Sequence, residues 1–389
     1  MAPGGTELNR SDLETFRSRV RGCLLGGAIG DALGGPVEFW KLPQILQTCG
    51  NTGVREYVAE HVHGREVYGR ITDDTQMTLF AVEGIIRALV RTDRGLGFTV
   101  GLLHHAQDRW LDTQNLQGPD GSRDGWLINE QWLYSRRAPG NTCLSALGTA
   151  RGGERRPRQF GQAAVNDSKG CGGVMRSAPF GFLGVAGPGI QAPGDIIFTF
   201  AAEAAGHTHG HPTGQIASGA LALLVHEIVQ GRRLVEAVER VLMALRTGET
   251  TADPNGETLR ALQRAVDASS QTPSPALMES LGGGWIAEEA LAMAVHAALV
   301  FPEPDQMLDA LAYAVTHGGD SDSTGAICGN VLGALHGETA LPAALVFEVE
   351  GRGTILQLAD DLVLELTQRH QLHSNWGPLT RWTDRYPGW

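Results

Sequence analysis

A single compact all-α domain is what this sequence predicts. Apolar residues recur at helical spacing in many stretches, the alternation that marks strands is scarce, and the gaps are rich in Gly, Pro, Asn and Asp. The 389 residues, 42% of them hydrophobic, suffice for one large core, although length alone would allow two or three domains. No repeat period, heptad seam or low-complexity tract suggests a solenoid or coiled coil.

In chain order, Met1 to Arg10 is polar and reads as a flexible N-terminus, leaving residues 11–389 as the domain. Ser11 followed by Glu14 matches a capping box, and Phe16, Val20, Cys23 and Leu24 then recur at helical spacing. Gly22, Gly26, Gly30 and Gly34 fall every four residues, so on a helix they line one stripe that another backbone can approach closely. A glycine-rich loop is the competing reading, because glycine weakens a helix by roughly 1 kcal/mol per residue. Further helices are expected at Met77–Val90, Ile216–Val229, Leu234–Leu245, Ala287–Leu299, Met307–Val315 and Ala326–Leu335, and surface loops at Gly118–Arg123, Gly152–Lys169 and Gly184–Gly194.

A net charge of −12 argues against a nucleic-acid or anionic-membrane surface, either of which needs clustered Lys and Arg. The N-terminus has no apolar signal region and no stretch approaches the roughly 20 apolar residues of a membrane span, so a cytoplasmic protein is expected. The five cysteines (Cys23, Cys49, Cys143, Cys171 and Cys328) are scattered and never in a C-x-x-C pair, which suggests reduced, packed thiols.

Two acidic segments stand out. Thr72-Asp73-Asp74-Thr75 precedes one amphipathic helix, and Gly318-Gly319-Asp320-Ser321-Asp322-Ser323-Thr324 precedes another far downstream. Each alone is explained by helix capping and the helix dipole. Capping needs only one side-chain oxygen, however, while the two segments supply four carboxylates that would repel one another if brought together without cations. Their all-oxygen donors suit Mg²⁺, Mn²⁺ or Ca²⁺ rather than zinc or copper, and neither has EF-hand spacing.

These segments, with Gly30-Asp31-Ala32-Leu33-Gly34, Pro36-Val37-Glu38-Phe39, Gly170-Cys171-Gly172-Gly173-Val174-Met175-Arg176 and Thr208-His209, resemble the ADP-ribosylglycohydrolases in type and order from about Arg21 to His336. The resemblance implies an all-helical fold round a central dinuclear site of two Mg²⁺, or Mn²⁺, ions. It implies Thr72, Asp73, Asp74, Asp320, Asp322 and Ser323 as ligands, with the four aspartates also catalytic. The chain resembles the ADP-ribosyl-arginine hydrolases, which share serine at the Ser323 position, and this favours arginine as the acceptor, with an ADP-ribosylated protein as substrate and ADP-ribose as product. O-linked ADP-ribose, on serine or as the O-acetyl ester, is the alternative substrate. From another class, an immunity protein that neutralises an ADP-ribosyltransferase by docking remains open, as does a metal-free glycosidase built on two carboxyl groups.

Gly170, Cys171, Gly172 and Gly173 are candidate backbone donors to the pyrophosphate, with a helix expected to follow. Met175 belongs to the same run. His209 is a candidate pocket residue, while His207 and His211 are expected to pack or cap the next helix. Glu38 is a candidate acid beside the substrate. Trp110, Trp126 and Trp132, with Asn115, Asn129 and Asn141, could form a lid or be ordinary core and rim residues.

Overall fold

The computed structural model describes residues 10–151, 161–184, 193–248, 253–373 and 380–388. Sixteen α-helices run through them. The first five are α1 (Arg10–Gly34), α2 (Leu42–Cys49), α3 (Asp73–Asp93), α4 (Gly101–Asn115) and α5 (Asn141–Ala150). Then come α6 (Gly194–Gly206), α7 (Pro212–Val229), α8 (Leu234–Thr247), α9 (Glu257–Ala268), α10 (Pro275–Leu281) and α11 (Ala287–Val300). The last are α12 (Met307–Val315), α13 (Ser321–His336), α14 (Ala343–Glu348), α15 (Arg352–Leu372) and α16 (Arg381–Arg385). Two three-residue strands, β1 (Glu60–Val62) and β2 (Arg65–Val67), pair antiparallel. No helix among the described residues is long and apolar enough to cross a membrane, and all five cysteines are free.

The glycine stripe of α1 is helical, and the partner that approaches it is α13. The two run antiparallel, with Gly22 against Gly333, Gly26 against Gly329, Gly30 against Gly325 and Gly34 against Ser321. A Cβ at any of these α1 glycines would lie closer than 3.0 Å to an α13 backbone atom. Backbone therefore packs on backbone, a geometry that only a small residue at every fourth position on both helices permits. This contact fixes the site: it lays the C-terminal end of α1 beside the N-terminal end of α13.

Around this pair, α7 and α11 are apolar on nearly every face and buried, as a helix enclosed by others must be. α3 is held to α4 by the buried Arg109–Glu83 ion pair as well as packing. Arg109 donates to Glu83 Oε2 through Nε (3.0 Å) and Nη2 (2.8 Å), and the neighbouring Arg87 reaches Asp124 at 3.0 Å. Removing one partner of such a pair costs about 3–5 kcal/mol, because it strands a buried charge.

Several expectations change at element ends. Arg10 and Ser11 are already helical, and Glu14 accepts from Arg10 Nε at 2.9 Å instead of closing a capping box with Ser11. The Arg10 boundary of the flexible N-terminus thus moves, since that residue opens α1; residues 1–9 lie outside the described set. Within the expected Gly152–Lys169 loop, residues 161–169 contain no helix or strand and 152–160 are outside the described set. Of Gly184–Gly194, Gly184 closes a 3₁₀ turn and Gly194 opens α6, with 185–192 outside that set.

Candidate metal and substrate site

The site is assembled on Asp31, which emerges fully buried from the last turns of α1. Its carboxylate accepts the Thr72 N–H at 2.9 and 3.0 Å and the Thr75 N–H at 3.0 Å, and also bonds the Thr75 hydroxyl. Thr72 Oγ1 in turn caps α3 by accepting the Asp74 N–H at 3.3 Å. Asp73 and Asp74 are thereby fixed in the first turn of α3, where the helix dipole favours negative charge. The same logic holds at α13. Asp320 is its N-cap, with Oδ1 accepting the Ser323 N–H at 3.3 Å, and Asp322 Oδ1 accepts that N–H at 2.9 Å.

The two acidic turns meet. Ser323 Oγ donates to Asp74 Oδ2 at 2.9 Å across 249 residues of sequence, and oxygens of Glu38, Asp320 and Asp322 lie within 4.8 Å of one another. Burial, and after it the repulsion of neighbours led by Asp322, lifts the acids: Asp31 is pushed up to about 7, Glu38 to about 10, and Asp73 and Asp74 well above the carboxylate range. Burial with Asp322 beside it does the same to Asp320, and burial raises Asp322 itself. Glu38 Oε2 is buried without a hydrogen-bond partner. Crowded oxygen donors that repel one another, with one left unpaired, are the donor set that hard divalent cations fit.

A cavity of about 510 Å³ opens over this cluster, walled by Glu38, Asp73, Asp74, Asp320, Asp322 and Ser323 together with Gly170, Cys171, Gly172, Met175 and His209. Thr72 and Gly173 are not on its wall. Thr72 holds the turn beneath, and Gly173 packs on Ala205 and Ser218. The helix after the glycines is a six-residue 3₁₀ turn, Cys171–Arg176. The Cys171 N–H, expected as a pyrophosphate donor, is engaged by the Trp285 carbonyl at 3.2 Å, and the Cys171 thiol donates to Asp320 Oδ2 at 2.8 Å. Burial and then Asp320 push that thiol well up. Gly172 is packed tightly, since a Cβ there would lie 2.8 Å from Cys143 Sγ.

Of the three histidines only His209 reaches the cavity. Its Nδ1 pairs with Thr208 Oγ1 at 2.9 Å, and that hydroxyl accepts from the buried Arg176 at 2.7 Å. Burial and Arg176 push His209 down to about 3, so the ring is neutral at pH 7. His207 stacks on His104 with centroids 4.9 Å apart, and His211 caps α7 by accepting the Thr213 N–H at 3.1 Å.

The tryptophans form no lid. Trp110 is buried and donates to Gln76, Trp126 lies under the Arg385 guanidinium at 3.9 Å, and Trp132 packs on Gly351. Of the asparagines grouped with them, Asn141 alone lines the cavity. The sequence motifs gave no role to Asp31 or to the rim residue Phe39, and they passed over Trp285 and, Asn141 apart, the wall from Arg136 to Cys143. Arg136 is the one guanidinium or ammonium group on the wall among the described residues. Its loop is pinned by the Arg137–Glu350 ion pair and by the Asp73 N–H to the Arg137 carbonyl (3.2 Å), while Ala138 takes a φ of +49°. A left-handed alanine costs of order 1–3 kcal/mol and persists where its surroundings dictate it.

A sequence profile of the ADP-ribosylglycohydrolases matches residues 12–372. The ADP-ribosyl-[dinitrogen reductase] glycohydrolase of Rhodospirillum rubrum is 26% identical over 340 residues, covering 86% of this chain and 92% of that protein. An uncharacterized protein of Archaeoglobus fulgidus is 25% identical over 319 residues, with 82% and 88% covered. A solved structure described as an ADP-ribosylglycohydrolase-related protein complex shares the fold, with a TM-score of 0.63 at 24% identity over 91% of this chain and all of that one. With a helical scaffold, a crowded buried carboxylate cluster and a profile match along nearly its whole length, the chain belongs to the ADP-ribosylglycohydrolase family.

Proposed function

We propose that the protein hydrolyses the N-glycosidic bond between ADP-ribose and an arginine side chain of a modified protein. The observation behind it is the Ser323–Asp74 hydrogen bond, which joins two distant acidic turns at the floor of one cavity. Thr72, Asp73, Asp74, Asp320, Asp322 and Ser323 would hold two divalent cations, Mg²⁺ or Mn²⁺, which when bound polarise ribose hydroxyls and make a water more acidic.

The chain's own residues do the rest. Asp31 holds the Thr72–Thr75 turn so that Asp73 and Asp74 face the cavity. A carboxylate among Asp73, Asp74, Asp320 and Asp322 takes the proton of the attacking water. Arg136 supplies a positive charge for the pyrophosphate, and neutral His209 offers a hydrogen bond without adding charge. Arginine as the acceptor is supported by the Gly318–Thr324 run with Ser323 and by the Thr208–Gly214 segment.

Arginine-linked and serine-linked ADP-ribosyl peptides assayed side by side test this. Release from the arginine peptide that stops after exhaustive chelation is expected. Release from the serine peptide alone would overturn the acceptor assignment, and full activity after chelation would overturn the metal site.

A further inference from the structure

Arg176 is buried behind the cavity wall and donates to two neutral oxygens, the Gly172 carbonyl through Nη1 and Thr208 Oγ1 through Nη2, each at 2.7 Å. The second of these bonds bears on the state of His209, the next residue along.

The Thr208 hydroxyl has one proton to give and two lone pairs to receive with. Arg176 occupies one lone pair, and the proton has two destinations, His209 Nδ1 at 2.9 Å or the Ala205 carbonyl at 3.3 Å. That carbonyl already accepts the Thr208 N–H at 3.1 Å and the His209 N–H at 2.9 Å, which fill its two lone pairs. The imidazole nitrogen is the nearer acceptor and the one left to fill. A guanidinium on the hydroxyl oxygen also makes that hydroxyl the stronger donor. With Nδ1 accepting, a neutral ring carries its proton on Nε2. Burial and Arg176 both disfavour the charged ring.

Nε2 is the edge that meets the cavity. A Cβ on Gly170 would lie 3.3 Å from it and one on Gly172 3.5 Å, and both glycines line the cavity. The Nδ1 edge turns instead to Gly173, which does not. Among the described residues Nε2 has no hydrogen-bond partner of its own, so its proton is open to a bound molecule.

We propose that Arg176 and Thr208 are positioning residues that hold His209 in its Nε2–H form, so that the cavity wall presents a neutral donor to an oxygen of the substrate. The identity of that substrate rests on the hydrolase reading above; the state of the ring does not. A bare Nε2 would set a lone pair against the oxygens of an ADP-ribosyl group.

NMR of ¹⁵N-histidine-labelled protein at pH 7, with the His209 ring assigned by its loss in H209Q, reads the form directly. A protonated Nε2 and a bare Nδ1 are expected in the wild type. R176M frees a lone pair on Thr208 Oγ1, so the Nδ1–H form is expected to appear beside the other, an effect that a purely structural role for Arg176 would not produce. On the arginine-linked peptide T208V is expected to lose about tenfold in kcat/KM, in KM more than in kcat, and T208S, which keeps the hydroxyl, less than about twofold. Nδ1–H in the wild type would overturn the proposal whatever the substrate, as would equal kcat/KM in T208V and T208S. A wild type inactive on both arginine-linked and serine-linked peptides would remove the function proposed above, while the spectra would still decide the state of the ring.

Discussion

Gly329→Ala places a methyl group inside the α1–α13 contact. A Cβ there would lie closer than 3.0 Å to the carbonyl oxygen of Gly26, a backbone atom that cannot rotate away. Alanine improves helix propensity by about 1 kcal/mol, and overpacking costs typically 1–3 kcal/mol or more, with the rigid partner favouring the upper end. The expected net loss is about 2 kcal/mol, a few degrees in Tm. The helices can relieve the clash only by separating, which moves Asp320 and Asp322 relative to the Asp73–Asp74 turn that Asp31 ties to α1, so divalent-cation affinity should fall as well. Gly353→Ala is the control: it lies in α15 with nothing within 4 Å of its would-be Cβ, and should be neutral or slightly stabilising. Urea unfolding and metal titration by calorimetry read both effects. A G329A protein as stable as G353A, with wild-type metal affinity, would refute the claim that this contact sets the site.

Asp322→Asn should cut turnover by at least about 100-fold while raising the Tm of the metal-free protein, because Asp322 is the leading source of repulsion on its neighbours; scanning calorimetry in chelator checks the second half. The metal-free wild type should lose stability as pH rises. Burial raises the folded pKa of Asp31 to about 7 from its ordinary 3.8, so its stabilising contribution is complete below 3.8 and lost as pH passes 7. Added Mg²⁺ should therefore raise Tm more at pH 8 than at pH 5, and an equal rise at both would count against the cluster as its site. Arg136→Gln should raise KM about 3- to 10-fold with kcat nearly unchanged and weaken the salt dependence of KM, since in the proposed function the exposed guanidinium serves the phosphates and not the bond that breaks.

Helices whose apolar residues follow a clean period were legible: Met307–Val315 is found at those bounds, and Ala287–Leu299 one residue longer. α4 was not, because its buried face carries His104, Gln107, Asp108 and Arg109, which are paired with neighbouring segments through ion pairs and hydrogen bonds that a hydropathy pattern cannot register. The starts of α3 and α13 were read four and five residues late for a related reason: Asp73, Asp74, Asp320 and Asp322 look like turn residues yet sit at or inside the first helical turn. The four aspartates were visible as motifs. Asp31 was hidden by its setting, one acid among Ile29, Ala32 and Leu33, although a lone carboxylate on a glycine-striped, otherwise apolar face is itself a sign of a buried polar partner. Trp285 and Arg136 lay in no motif and Phe39 closed one that gave it no role, because their significance lies in which wall the fold assigns them to.

The stripe on the first helix also bears on biogenesis. Its counterpart, Gly325 to Gly333, leaves the ribosome about 300 residues later, a wait of roughly 15–60 s at 5–20 residues per second. For most of that interval the nascent chain holds Thr72, Asp73 and Asp74 but neither Asp320 nor Asp322, so the proposed cation-binding set is incomplete until the second segment is made. At the proposed cation site, metal loading is then expected as a late event, following closure of the chain's two distant parts and unable to template it.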